Sequence, residues 1–538
     1  MGFQIAFGLL LLPAAAASAP ATPAQCQAAK LTAGDAAAGD RFGFRLALSG
    51  DTALIGAACR DDAAAGVDAG AAYVFERQAG SWVQTDQLLA GDAAAALFFG
   101  SSVAVEGDRA VVGAPGAGPP LSAGAAYVFE RTPAGWTQTA KLTAGDPGAF
   151  ERFGDSVAVC GDTVLVGADF DGGAAAPPGA VYVFEDPGAG WVQTAKLTAS
   201  DAAPFDRFGV SVALAGETAL VGANDEGGGA GAVYVFERGA GGFAETQKLT
   251  ASDAAAGDSF GFALALDGDT ALVGAFRNSD AGFGSGSAYV FERGAGGFTE
   301  NQKITAADAA AGDSFGFAAS LSGDGALVGA FGDSDAGAES GSAYVFARGP
   351  AGFVQTEKLT ASDAAANDHF GFAVALSGDT VLVGADLDQD AGPLTGSAYV
   401  FLADVGQPLL GCPGLVSVSA GGSQSLALQA GAAHAAETYF LLGSASGTEP
   451  GIPIDGVVLP LAVPDPYFNF TLANPGVPPL TGSLGILDAA GQGAACFALP
   501  AASPPGLVGL TLNHAYALFD AVPAAVLASN AVPLALGP

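Results

Sequence analysis

The chain has 538 residues, enough for more than one core, and with 50% hydrophobic and only 13% charged residues it is not composed like a disordered protein. Its 54 acidic and 18 basic side chains leave a net charge of -36, which argues against nucleic acid or an anionic membrane as partner, because phosphate binding needs basic patches. Cations and basic ligands are favoured instead, and the same excess of acid also serves solubility.

In chain order, residues 1–19 read as a signal peptide: an apolar run followed by small residues, with cleavage options at Ala14 to Ala16 and Ala17 to Ala19. A basic n-region is missing, and a buried strand is the competing reading. No later stretch is long and apolar enough to span a bilayer. The expectation is an exported protein, secreted or at the cell surface, with no membrane span after signal cleavage.

From Phe42 to Phe401 one pattern recurs seven times, and its Phe-Gly pairs begin at Phe42, Phe99, Phe153, Phe208, Phe260, Phe315 and Phe370, 52 to 57 residues apart. A period near 50 marks supersecondary units that bury their faces only by stacking. In the fifth copy, residues 260–266, 270–274, 287–293 and 298–304 read as four strands, with Gly268-Asp269 as a two-residue hairpin turn. The last strand of a copy reads approximately W/F-x-x-T-x-K-L, and six copies have it, with Gln87 in place of the lysine in one and Asn301 in place of the threonine in another. The seventh lacks it, whereas Cys26-Gln27-Ala28-Ala29-Lys30-Leu31 stands alone before the first Phe-Gly. An N-terminal strand that completes the last blade accounts for both facts and removes exposed sheet edges. The predicted fold is all-β: a seven-bladed β-propeller over residues 24–402, closed by an N-terminal strand.

These residues resemble the FG-GAP repeats of the integrin alpha-chain β-propeller; Phe-Gly and Val-Gly-Ala recur at near-constant separation, although the full Gly-Ala-Pro occurs only at Gly113-Ala114-Pro115. The resemblance implies a seven-bladed propeller at or outside the cell surface, used for protein or matrix binding. Independently of the family, an aromatic residue from each blade fills the wedge against its neighbour, and the adjacent glycine lets two backbones approach. Members of that family often carry a calcium loop between the Phe-Gly strand and the Gly-Ala-Pro strand. Here it has shrunk to Ser49-Gly50-Asp51-Thr52 and its equivalents, so those sites do not carry over.

Acids gather instead after Val-Gly-Ala, most densely at Asp386, Asp388 and Asp390 ahead of Gly392. Alternating carboxylates before a glycine are a pattern that wraps a hard cation, and these three are the candidate calcium ligands, at the weak affinity of about 10⁻⁴ to 10⁻³ M seen in extracellular modules. The competing reading is a solvated loop whose acids cap turns, since no copy supplies a distal bidentate acid. No cofactor is required. A second set of acidic pairs, such as Asp35 with Asp40 and Asp253 with Asp258, reads as turn chemistry.

Residues 403–414 read as a linker and residues 415–538 as a C-terminal β-sandwich of short strands broken by Gly, Pro and Asn. The five cysteines are an odd number, and Cys412 with Cys496 are the best disulfide candidates. His369, His434 and His514 are the only histidines, so a Ser-His-Asp set would have to be assembled across domains. Carboxylates for glycoside hydrolysis are too abundant to single out a pair. The expected function is therefore non-enzymatic: binding of a protein or glycan ligand at the loop face of the propeller, where loops such as 61–70 and 115–124 differ while strands do not. A structural envelope protein without a discrete ligand is the alternative, and a secreted carbohydrate-active enzyme a further one.

Overall fold

The computed structural model describes residues 27–402 apart from 79, 119–121 and 172–176, and beyond 402 the backbone of short strands. Seven four-stranded antiparallel sheets succeed one another, the first built from Arg45–Ser49, Thr52–Ala57, Ala71–Gln78 and Ser81–Leu88. Blade seven takes three strands from Phe370–Ser377, Thr380–Ala385 and Ser397–Leu402, and its fourth from Gln27–Leu31, which sets Lys30 opposite Tyr399. One short helical turn, Glu226–Gly229, interrupts the strands of blade four.

The strand pattern follows burial. First strands face the central channel, and second strands such as Thr163–Ala168 are buried along their whole length, hence their continuous apolar run. Fourth strands such as Val192–Leu197 alternate exposed and covered residues, as a strand with one wet face must. The hairpin Gly50-Asp51 is as short as expected: Ser49 pairs with Thr52, and Gly50 has φ 56°, where a side chain would be strained. The first strand of blade five starts later than the sequence suggests, unlike that of blade seven, which runs from Phe370. In blade five the strand begins at Ala263, because Ser259-Phe260-Gly261-Phe262 is a turn in which the Phe262 amide donates to the Ser259 carbonyl at 3.3 Å.

All seven Phe side chains of the Phe-Gly pairs are completely buried. Each ring meets the Tyr of its own blade edge-on at 5.3–5.5 Å between centroids. Each backbone bridges to a glycine of the preceding blade, as Phe208 does to Gly179. The hydrophobic clusters consequently lie between blades: Leu165, Val181 and Val183 of blade three pack with Phe208, Val221 and Tyr234 of blade four. A Cβ added at Gly56 would stand 2.2 Å from the Gly100 carbonyl oxygen of the next blade, so backbone meets backbone at these seams.

Two polar seams supplement the wedges. Away from the loop face, the Arg two residues after Tyr-Val-Phe donates to a Thr of the preceding blade at 2.6–2.7 Å in five blades: Arg77 to Thr380, Arg131 to Thr52, Arg238 to Thr163, Arg293 to Thr218 and Arg348 to Thr270. On the fourth strand, Gln27, Gln84, Gln138, Gln193 and Gln355, with Glu245 and Glu300, each accept a backbone amide of the preceding exit loop at 2.7–2.9 Å.

In the C-terminal region Gly422–Gln429 pairs with Gln492–Leu499 and Thr438–Ser444 with Thr511–Phe519, both antiparallel. The packing that would make a sandwich, the signal peptide, the linker and the Cys412–Cys496 pairing lie outside the described residues. Among the described residues no helix is long and apolar enough to cross a membrane.

Candidate functional site at the mouth of the channel

Three sequence positions, repeated by the seven blades, converge on one end of the central channel. One precedes each buried Phe and holds Arg41, Phe98, Arg152, Arg207, Ser259, Ser314 and His369, all with φ between 54° and 59°. Left-handed backbone costs a residue with a side chain about 1–2 kcal/mol, and the bridge between blades imposes it here. The second follows each Phe-Gly and holds Phe44, Ser101, Asp155, Val210, Phe262, Phe317 and Phe372, all of which line a cavity of about 880 Å³. The third follows Val-Gly-Ala and includes Asp169, Phe276, Phe331 and Asp386.

The blades fill these shared positions unequally. Blades five to seven and one supply a continuous aromatic arc: Phe262 to Phe317 at 4.9 Å, Phe317 to Phe372 at 4.9 Å and Phe372 to Phe44 at 5.3 Å between centroids. Phe276 and Phe331 back it, and His369 packs on Phe331 at 5.2 Å. The other side is charged. Arg207 donates to buried Asp169 at 2.6 Å, Arg152 to Asp155 at 2.6 Å, and Arg41 through Nε to buried Asp386 at 3.0 Å. His369 lies 3.6 Å from Asp386; burial alone would lower its pKa, but the pull of Asp386 and Glu339 raises it.

Burial pushes the Asp155 carboxyl up to about 6, helped by the charge of Asp169 and opposed by Arg152, Arg45 and Arg207. An acid whose midpoint is raised in the folded state binds protons more tightly there. Its stabilising effect is full below about pH 4 and is lost as pH rises through 6, a change of roughly 3 kcal/mol. Asp155→Asn is therefore expected to melt above the wild type at pH 8 and level with it at pH 4. Parallel melting curves across that range check this; a constant difference would refute the raised midpoint.

The candidate calcium ligands are divided between two places. Asp386 belongs to the channel mouth and pairs with Arg41, whereas Asp388 and Asp390 join Asp363 around the Lys30 ammonium at 2.9, 2.7 and 2.8 Å. Tyr399 donates its hydroxyl to Asp388 at 2.6 Å. Asp388 and Asp390 thus stand with Asp363, their carboxylate oxygens within 4.8 Å of one another, and Asp386 lies outside that group. Burial lowers the Lys30 pKa, but the hydrogen bonds it donates to Asp363, Asp390 and Asp388 outweigh it and hold the ammonium above its ordinary value.

Similar nodes recur around the ring, with Lys358 among Asp308, Asp333 and Asp335 and Lys196 between Asp146 and Asp171. Of the acidic pairs read as turn chemistry, the second member is that: Asp258 accepts the Ala255 amide at 3.0 Å. The first member instead holds a node, as Asp253 accepts from Tyr289 at 2.7 Å and Lys303 at 2.6 Å. The repeating Lys of the fourth strand was the sequence signal for these nodes.

The description "FG-GAP repeat" matches seven segments, 26–75, 82–129, 136–184, 191–236, 243–291, 298–346 and 353–401, more than half of the chain. The chain belongs to the FG-GAP repeat family. Each matched repeat starts on the outer strand of one blade and ends on the third strand of the next, so the FG-GAP unit straddles the seam that its Phe fills. A search of curated proteins returned no match. Among solved structures, two crystal structures of Sqt1 from Chaetomium thermophilum are similar at 14% identity and a TM-score of 0.41; they cover 68% of this chain, which spans 83% and 84% of theirs. That likeness carries no argument about function.

Proposed function

We propose that this FG-GAP propeller is a non-enzymatic, exported or cell-surface protein that binds a protein or glycan ligand through its loop face and serves adhesion. The observation that carries this reading is the exposure of large apolar side chains on those loops. Phe150 and Phe205, in the loops leading into blades three and four, are 61% and 55% exposed, and Phe283 in a loop of blade five is 88% exposed. Phe150 and Phe205 also sit at φ 65° and 67°, a conformation that opposes a bulky residue. Apolar groups held in water on a rigid scaffold are the usual mark of an interaction surface.

The test uses the full chain and a Phe205→Ser, Phe283→Ser double variant against glycan arrays and surface extracts of the source cells. Removing exposed rings changes stability by about 0.5 kcal/mol or less each, so the variant should fold as the wild type does. A saturable partner of the wild type that binds the variant at least about tenfold more weakly is the expected result. A fold-competent wild type with no saturable partner would favour a structural envelope role.

A further inference from the structure

Arg45 stands out at the channel mouth. Arg41, Arg152 and Arg207 each face a carboxylate, but Arg45 forms no ion pair among the described residues of a chain with 54 acids. Its guanidinium donates to the Phe44 carbonyl oxygen at 2.9 Å and stacks over the rings of Phe44 and Phe372 at 4.5 and 5.5 Å. This stacking orients the planar fork of a residue that lines the cavity. Asp155 and Asp386 act on this partly buried guanidinium only at longer range, so an anionic group from outside would be its first direct ion-pair partner.

The rest of the wall narrows the class of anion. The rings of Phe44, Phe262, Phe317 and Phe372 are half-buried, in contrast to the wholly buried Phe of each Phe-Gly pair, and form an apolar arc on the cavity. Across from it, Ser101, Ser122 and Asp155 offer hydroxyl and carboxylate oxygens. A volume of about 880 Å³ suits one or two sugar rings. A small inorganic anion would satisfy Arg45 and leave the arc wet, whereas an aryl acid would cover the arc and leave the polar wall without partners. A pyranose carrying a carboxylate matches all three: an apolar C–H face, hydroxyl groups and a planar anion for bidentate pairing.

We infer that the channel mouth binds a sugar acid, with Arg45, stacked on Phe44 and Phe372, taking the carboxylate, Phe262 and Phe317 of the arc taking the C–H face of the ring, and Asp155 and Ser101 taking hydroxyl groups. The net charge of -36 opposes an anion at long range. Salt confines that field to about 8 Å at physiological ionic strength, and inside the mouth Arg41, Arg45, Arg152 and Arg207 outnumber Asp155, Asp169 and Asp386. The inference rests on the reading that this face binds ligands, yet it uses none of the residues substituted to test that reading.

Titration calorimetry of the full chain with glucuronate, galacturonate, glucose and phenylacetate is the test. At least one of the two sugar acids is expected to bind at least tenfold more tightly than glucose and phenylacetate and to raise the melting temperature. Arg45→Gln should lose at least tenfold in that affinity, and Arg45→Lys, which keeps the charge but not the fork, should fall between. The ligand-induced rise in the wild-type melting temperature decides the matter even where a variant folds poorly. No saturable heat with either sugar acid, equal binding of glucose or phenylacetate, or full affinity in a folded Arg45→Gln would overturn the inference. Binding of a macromolecule that is lost only with Phe205 and Phe283 would leave this result unaffected, so the two readings fail separately.

Discussion

Replacing Phe315 by alanine is expected to lower the unfolding free energy by about 3–5 kcal/mol, the range for deleting a buried aromatic ring. The ring is fully buried, edge-on to Tyr344 at 5.5 Å and Phe346 at 6.0 Å, and packs with Leu272 and Val290 of blade five as well as Val328 of blade six. The cavity would therefore open at a seam, where it weakens the hold of one blade on the next. The three tryptophans, Trp82, Trp136 and Trp191, all lie in blades one to three, away from that seam. Denaturant unfolding followed by their fluorescence thus reports whether the blades act as one unit. A midpoint that falls by the full amount in the tryptophan signal is the expected result. An unchanged tryptophan transition beside a shifted circular dichroism would show that the blades unfold independently.

Lys30→Met is expected to cost about 3 kcal/mol, because removing one partner of a buried ion pair strands the other. The Asp388 side chain is only 3% exposed, and it would keep the Tyr399 hydroxyl but lose the ammonium. Lys141 occupies the same strand position in blade two, but its partner Asp92 is 52% exposed, so Lys141→Met should cost under about 1 kcal/mol. The comparison isolates burial from the loss of a lysine. Lys30 also sits on the strand that joins the two ends of the propeller sequence, with Asp388 358 residues away. Equal, small losses in both variants, measured by urea unfolding, would remove this node from the account of how that strand is held.

The seams without an Arg–Thr pair show how the repeats vary together. Blade six has Gly325 where five blades have Thr, and Ala403 follows Leu402 where an Arg would reach back to it. In blade two Arg109 replaces the Thr and, with Asp186 in place of the Arg in blade three, bonds instead to Asp162 at 3.0 Å. Paired changes of this kind are legible only once the structure shows which positions of neighbouring blades meet.

The number of blades, the four-stranded unit, the Gly-Asp hairpins, the buried Phe of each seam and the pairing partner of the strand around Lys30 could all be read from the chain. Each is a local pattern repeated seven times, and repetition turns a weak local preference into a strong statement. The channel mouth could not be read this way. Its residues stand two positions from the wedge Phe and are Phe in four blades but Ser, Asp or Val in the others, and only the folding of the ring shows that Phe44, Phe317 and Phe372 form one wall and Asp155 part of another. The acids after Val-Gly-Ala were visible but not their roles: the turn that carries the Asp388 amide back to the Ala385 carbonyl sends Asp386 toward Arg41 and Asp388 toward Lys30. Those partners lie 345 and 358 residues away, so spacing within the motif holds no information about them. Tertiary structure alone decided which charges meet, because in a ring of near-identical blades the contacts that matter run across seams and toward the axis rather than along the chain.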